Sequence, residues 1–146
     1  MDLLNSLRQE IVGLNFPQTL QRVVSFLRKN FAHYNWVGIY MLEGDELVLK
    51  AWDGPEATQH VRIPIGKGIC GLAAREKRTV IVGDVTAEPR YLACFPYTKS
   101  EIVVPIFKDS KVIGEIDIDS NTLHAFTEQD RELLEQVADL LGERYG

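Results

Sequence analysis

Two cysteines, Cys70 and Cys94, flank a stretch rich in loop residues, and a later segment reads Glu115-Ile-Asp117-Ile-Asp119-Ser120, with a carboxylate at every second position. In an extended strand that spacing puts all three acids on one face. Thiols beside a one-faced acid cluster suit thiol redox chemistry on a small cationic substrate. Crowded carboxylates also repel one another, so one of them can hold a proton near neutral pH and act as a proton donor.

Other side chains share that face if their strands alternate in register. Trp36, Gly38 and Tyr40 point one way and Val37, Ile39 and Met41 the other, the second set forming core. Ile102, Val104 and Ile106 oppose Glu101 and Val103, and Val112, Gly114, Ile116 and Ile118 oppose Ile113, Glu115, Asp117 and Asp119. A pocket face collecting Trp36, Tyr40, Glu101, Asp117 and Asp119 offers an aromatic wall and carboxylates, which fit an ammonium group through cation–π attraction and ion pairing. A free amino acid or small amine has that group; a solvated strand face is the plainer alternative.

Gly66-Lys67-Gly68 precedes a short helix, where it either bares N–H groups to an anion or makes a tight glycine turn. Cys70 falls in the first turn of that helix, where the dipole favours thiolate. His33, His60 and His124 have no ligand-like spacing, so no metal is expected, and there is no nucleophile elbow, phosphate loop or dinucleotide fingerprint.

The elements that must position these residues follow from periodicity. Leu3, Leu4, Leu7, Ile11 and Leu14 predict one amphipathic helix. Asn15-Phe16-Pro17 interrupts it, and Leu20, Val23, Val24 and Leu27 predict a second, reaching about Phe31. Strand-like segments at 36–41 and 47–52 are joined across Glu43-Gly44-Asp45-Glu46; further strands are expected at 61–63, 79–82, 100–107 and 112–119, with a short helix over 69–76. Residues 84–97, which include Cys94, have no periodicity and read as a lid or binding loop. Thr127-Glu-Gln-Asp130 resembles a capping box that starts a helix with the stripe Leu133, Leu134, Val137, Leu140 and Leu141.

The expected fold is α+β: an antiparallel sheet of about five or six strands, with N- and C-terminal helices on one face and a loop-covered pocket on the other. Residues 1–146 fit one domain, long enough for a core without disulfide or metal staples. Charged residues are 25% and hydrophobic residues 45%, a globular composition. The formal net charge of −5 argues against a nucleic-acid or anionic-membrane partner. With no signal peptide or membrane span in the sequence, a cytoplasmic location is expected, where cysteines stay reduced as core residues or a catalytic pair. Apolar positions on the terminal helices could also pair two copies into a homodimer, although such stripes more often pack on the sheet.

Four segments together, Asn35-Trp-Val-Gly-Ile-Tyr40, Arg62-Ile-Pro-Ile-Gly-Lys-Gly-Ile-Cys-Gly71, Ser100-Glu-Ile-Val-Val-Pro105 and Ile116-Asp-Ile-Asp-Ser120, resemble the free methionine-(R)-sulfoxide reductases built on the GAF fold. The resemblance runs from about Asn35 to the last helix and implies a single GAF-like domain. It further implies that Cys94 attacks the sulfoxide sulfur and becomes a sulfenic acid, which Cys70 resolves as a disulfide. Thioredoxin or another dithiol would regenerate the thiols, with no bound cofactor. Glu101, Asp117 and Asp119 match the residues that hold the substrate and polarise its oxygen, and Trp36 and Tyr40 match the wall around its sulfur end.

The chain also departs from that family. Gln59-His60-Val61 stands where many members carry a further cysteine, so resolution falls to Cys70. Phe95-Pro96-Tyr97-Thr98 replaces the usual Asp-Ala-Ala-Ser with a bulkier, stiffer lid, and Glu115 adds a carboxylate. Glu88-Pro89-Arg90-Tyr91 looks like a loop of GAF domains that sense ligands without catalysis. The alternative function is therefore a non-catalytic GAF sensor or small-ligand binding module.

Overall fold

The structure, a computed structural model, describes residues 2–92 and 95–146; the candidate nucleophile Cys94 lies outside the described residues, with Met1 and Ala93. The chain runs α1 (Leu3–Glu10), α2 (Phe16–Asn30), β1 (Trp36–Glu43), β2 (Glu46–Asp53), β3 (Arg62–Pro64), α3 (Gly68–Glu76), β4 (Val80–Val82), β5 (Ser100–Lys108), β6 (Lys111–Ser120) and α4 (Glu128–Arg144). The break at Asn15-Phe16-Pro17 is a helix start: the Asn15 side chain accepts the Gln18 N–H at 2.9 Å, and Gln18 returns a bond from the Asn15 N–H. Proline follows within the first turn, where its missing N–H leaves no partner wanting. At the start of α4, Asp130 accepts the Thr127 N–H at 2.8 Å, the reciprocal half of the expected box.

The strands form one six-stranded sheet in the order β3-β2-β1-β6-β5-β4. Every neighbouring pair is antiparallel. The β5–β6 turn places Asp109 and Ser110 both at positive φ, the backbone of a two-residue hairpin that suits right-twisted strands.

Alternation divides the interior in two. Val37, Ile39, Ile102, Val104, Ile116 and Ile118 face the terminal helices, meeting Leu20, Val24, Leu27, Leu134, Val137 and Leu141. The helix stripes thus pack on the sheet, with Leu3, Leu4, Leu14 and Leu133 only partly buried. At about 1.5–3 kcal/mol per fully buried aliphatic side chain, this layer is the main anchor of the sheet. On the opposite face, Tyr40, Leu47 and Val103 pack with Ile63, Ile69, Cys70 and Leu72, so α3 is the cover of the chemical face. No helix among the described residues is long and apolar enough to cross a membrane.

Candidate active site

The register of three central strands assembles the site. β1 and β6 place Trp36 opposite Asp119, Gly38 opposite Asp117 and Tyr40 opposite Glu115. β6 and β5 place Asp119 opposite Glu101 and Asp117 opposite Val103. Period-two alternation along each strand therefore becomes a two-dimensional array, with the carboxylates of β6 running between an aromatic edge and Glu101. All five predicted pocket residues are buried: Trp36 and Asp117 at 2%, Tyr40 at 0%, Glu101 at 5% and Asp119 at 1% exposure.

Cys70 enters from above on α3. Its sulfur and a carboxylate oxygen from each of Glu101 and Asp117 lie within 4.8 Å of one another. Among the described residues it is a free thiol. The expectation that the helix dipole favours its thiolate is overturned. Burial first, then the charges of Asp117, Glu115 and Glu101, push the Cys70 thiol well above its ordinary range. Desolvation and three nearby acids outweigh one turn of helix dipole.

The carboxylates are perturbed in the same sense. Burial raises Glu115 and Asp119 well above the usual range, each pushed further by Asp117. Asp117 is raised by burial, against opposing hydrogen bonds from Glu101 and Cys70. Neither oxygen of Glu115 makes a hydrogen bond of ordinary geometry among the described residues, and Asp117 and Asp119 each leave one oxygen, Oδ1, unpartnered. The Cys70 thiol is near enough to Glu115 to favour its charged form, but this is a weaker contact than a well-formed bond. Glu115 is fully buried, so the added carboxylate belongs to the cluster. The buried acid Asp130 is different. It accepts the Tyr34 hydroxyl at 2.6 Å and pairs with His33 at 3.0 Å, so it is a satisfied structural group.

Carboxyl groups whose pKa the fold raises change its pH dependence. A carboxyl whose folded pKa is raised stabilises the fold fully below the unfolded value of about 4 and loses that contribution as pH rises toward the folded value. The thermal midpoint is expected to fall as pH rises above about 4, against the usual flat maximum at neutral pH. Glu115→Gln should flatten that slope in a series of melts; an unchanged slope would remove Glu115 from the protonated set.

The aromatic wall is larger than the sequence indicated. Trp36 stacks on Trp52 with ring centroids 6.4 Å apart, its indole N–H donates to the Glu56 carbonyl at 3.2 Å, and Phe95 packs against it at 6.0 Å. Phe95 in turn stacks on Tyr97, whose hydroxyl donates to Glu56 Oε1 at 2.6 Å. That bond is the main reason the Tyr97 phenol is pushed up to about 12. Glu56 thus ties the lid segment and the Trp36 ring to one loop. Nothing in the periodicity of residues 84–97 gave Phe95 or Tyr97 away. Their only signal was that they are bulky residues where the resembled family has small and acidic ones.

Gly38 makes room for the wall, because a Cβ there would overlap the outer edge of the Trp36 ring. The ring has no easy retreat, since a Cβ on Gly54 would also overlap it from another side. Gly38→Ala is expected to destabilise the protein by about 1–3 kcal/mol in denaturant unfolding through overpacking, while a cost below about 0.3 kcal/mol would mean the ring moves freely.

Gly66-Lys67-Gly68 proves to be a turn. The Gly66 N–H donates to Gly71 O at 2.9 Å and the Lys67 N–H to Pro64 O at 3.1 Å, so neither is offered to an anion. Gly66 and Gly68 both have positive φ, and a Cβ on Gly68 would press on Leu92. Leu92, Gly68, Cys70, Glu101 and Asp117 line a small cavity of about 10 Å³ at the centre of the site.

A GAF domain profile matches residues 15–144. Over 84% of its length the chain is 37% identical to free methionine-R-sulfoxide reductase of Escherichia coli, covering 73% of that protein. Over a similar 84% it is 40% identical to GAF domain-containing protein A of Dictyostelium discoideum, covering 76% of that one. The X-ray structure of free methionine-R-sulfoxide reductase from Neisseria meningitidis in complex with its substrate superposes with a TM-score of 0.91 at 38% identity, over 97% of this chain and 85% of that one. An antiparallel sheet with terminal helices on one face, a buried thiol and acid cluster on the other, and a profile spanning nearly the whole length agree: the chain belongs to the GAF domain family and resembles its free methionine-R-sulfoxide reductases over most of its residues.

Proposed function

We propose that the protein reduces free methionine-R-sulfoxide to methionine by thiol chemistry. The observation that carries this reading is the buried cluster of Glu101, Asp117 and Asp119 beside the Cys70 thiol and the Trp36 wall, on a chain 37% identical to a reductase of that name. The binding-module alternative is less favoured, because protonated acids packed on a thiol are costly for a site that only holds a ligand.

In this reading the Cys94 thiolate attacks the sulfoxide sulfur while carboxylic acids of the cluster protonate its oxygen. The sulfur–oxygen bond breaks, the oxygen passes to Cys94 as a sulfenic acid, and methionine leaves. Cys70 then attacks the Cys94 sulfur, the disulfide forms, and the oxygen departs as water. Sulfoxide and two thiols become thioether, disulfide and water, with two electrons supplied by the thiols. A thioredoxin-like dithiol restores them. Division of labour between the cysteines is supported by the environment of Cys70: a thiol held protonated is a poor first nucleophile, and carboxylates beside it can accept its proton when it resolves. The carboxylates and Trp36 also offer the ammonium group of a free amino acid an ion pair and an aromatic face.

The test is a single-turnover reaction of the reduced protein with free methionine-R-sulfoxide and no added reductant. Wild type and Cys70→Ser should each form about one methionine per chain, whereas thioredoxin-supported turnover of Cys70→Ser should fall at least about tenfold. Equal loss of the first turnover in Cys70→Ser and Cys94→Ser would overturn the assignment of roles.

A further inference from the structure

The reductase reading uses Cys70 and the acids as proton carriers, yet the same atoms have the composition of a metal site. The Cys70 sulfur and oxygens of Glu101 and Asp117 all lie within 4.8 Å of one another, and all three residues are buried. Tetrahedral ligands about a zinc ion stand roughly 3.3–3.8 Å apart, given bond lengths of about 2.0–2.3 Å, so modest contraction would close the set. The cavity they line, about 10 Å³, is at the lower limit of room for a single water-sized ligand.

A second observation points to a missing ligand. Asp117 lines that cavity at 2% exposure, and its Oδ1 has no hydrogen-bond partner among the described residues. Buried carboxylates without donors are costly, and the usual solutions are a proton or a cation.

We infer that the reduced protein binds one divalent transition-metal ion of the zinc class through Cys70, Glu101 and Asp117. One sulfur with several oxygens suits a borderline cation; calcium and magnesium take oxygen donors without thiolate. Binding replaces the thiol proton and the carboxylic protons, which leave to solvent, and involves no electron transfer. The ion holds Cys70 as a metal thiolate and occupies the acids, so the metal-loaded protein is inactive wherever turnover needs these groups. That last consequence rests on the reductase reading; the binding itself does not.

Cobalt is the probe, because a cobalt thiolate has a near-ultraviolet charge-transfer band. Anaerobic titration of reduced wild-type protein with Co²⁺ should give a band saturating at one ion per chain and removed by Zn²⁺. Cys94→Ser should keep the band, Cys70→Ser should lose it, and Asp117→Asn should weaken cobalt binding at least about tenfold. No saturable band in wild type, a band that survives Cys70→Ser, or wild-type affinity in Asp117→Asn would each overturn the site. A saturable band in a protein whose metal-free form leaves methionine sulfoxide untouched would support the site and remove the reductase reading; turnover without a band would do the reverse.

Discussion

Cys94→Ser is expected to lower turnover of free methionine-R-sulfoxide at least about 10⁴-fold, with thioredoxin and with a small-molecule dithiol alike. The physical reason lies in the other thiol. Cys70 is buried at 4% exposure, and burial first, then Asp117, Glu115 and Glu101, shift its thiol toward the protonated form. A thiol in that state cannot take over the first attack, so no nucleophile replaces the missing one. A dithiol bypasses only the recycling step and should not rescue the variant. Activity within tenfold of wild type would move the nucleophile to Cys70 and reverse the proposed order of events.

Asp117→Asn and Asp119→Asn should lower kcat by about 10²–10⁴-fold, the usual range for a positioned general acid. Burial shifts both side chains toward the protonated form, and Asp117 shifts Asp119 further the same way. The working form is the acid, so wild-type activity should decline as pH rises through the raised pKa values. An amide cannot donate a proton to the sulfoxide oxygen on reaction, and in the variant whose acid is the donor that alkaline limb should disappear along with most of the rate. A variant that loses substrate affinity but keeps kcat and the limb is a binding residue. Wild-type kinetics in both variants would remove the pair from the chemistry.

The sheet was legible because β-structure alternates and this chain alternates cleanly. Ile116 and Ile118 against Asp117 and Asp119 fixed one strand's two faces, and the same reading of 36–41 and 100–107 brought Trp36, Tyr40 and Glu101 to the same side. The short hairpin turns made antiparallel neighbours of β1 and β2 and of β5 and β6. What alternation does not encode is how far along a strand the cover extends. Glu115 has the right parity but stands near the less covered end in sequence, and only α3 packing over Tyr40 and Val103 shows it fully buried.

Charge environments were harder to read than positions. One turn of helix dipole is visible in the sequence around Cys70, whereas the three carboxylates that oppose it come from strands more than twenty residues away. The glycine turn at 66–68 was undecided for a similar reason: whether N–H groups face a ligand depends on Pro64 and Gly71 carbonyls, which take them. Phe95 and Tyr97 sit in a segment without period, where nothing local says that they close against Trp36 and Glu56. Cys94, which the resemblance singles out, lies outside the described residues, so its role rests on chemistry and kinship.

The most direct measurement follows NADPH consumption in a thioredoxin-coupled assay supplied separately with the R and S epimers of free methionine sulfoxide. The account predicts steady turnover of the R epimer, little of the S epimer, and loss of the R activity in Cys94→Ser. No turnover of either epimer, with thioredoxin or with a dithiol, would contradict it and leave the buried acid cluster as the pocket of a ligand-binding GAF domain.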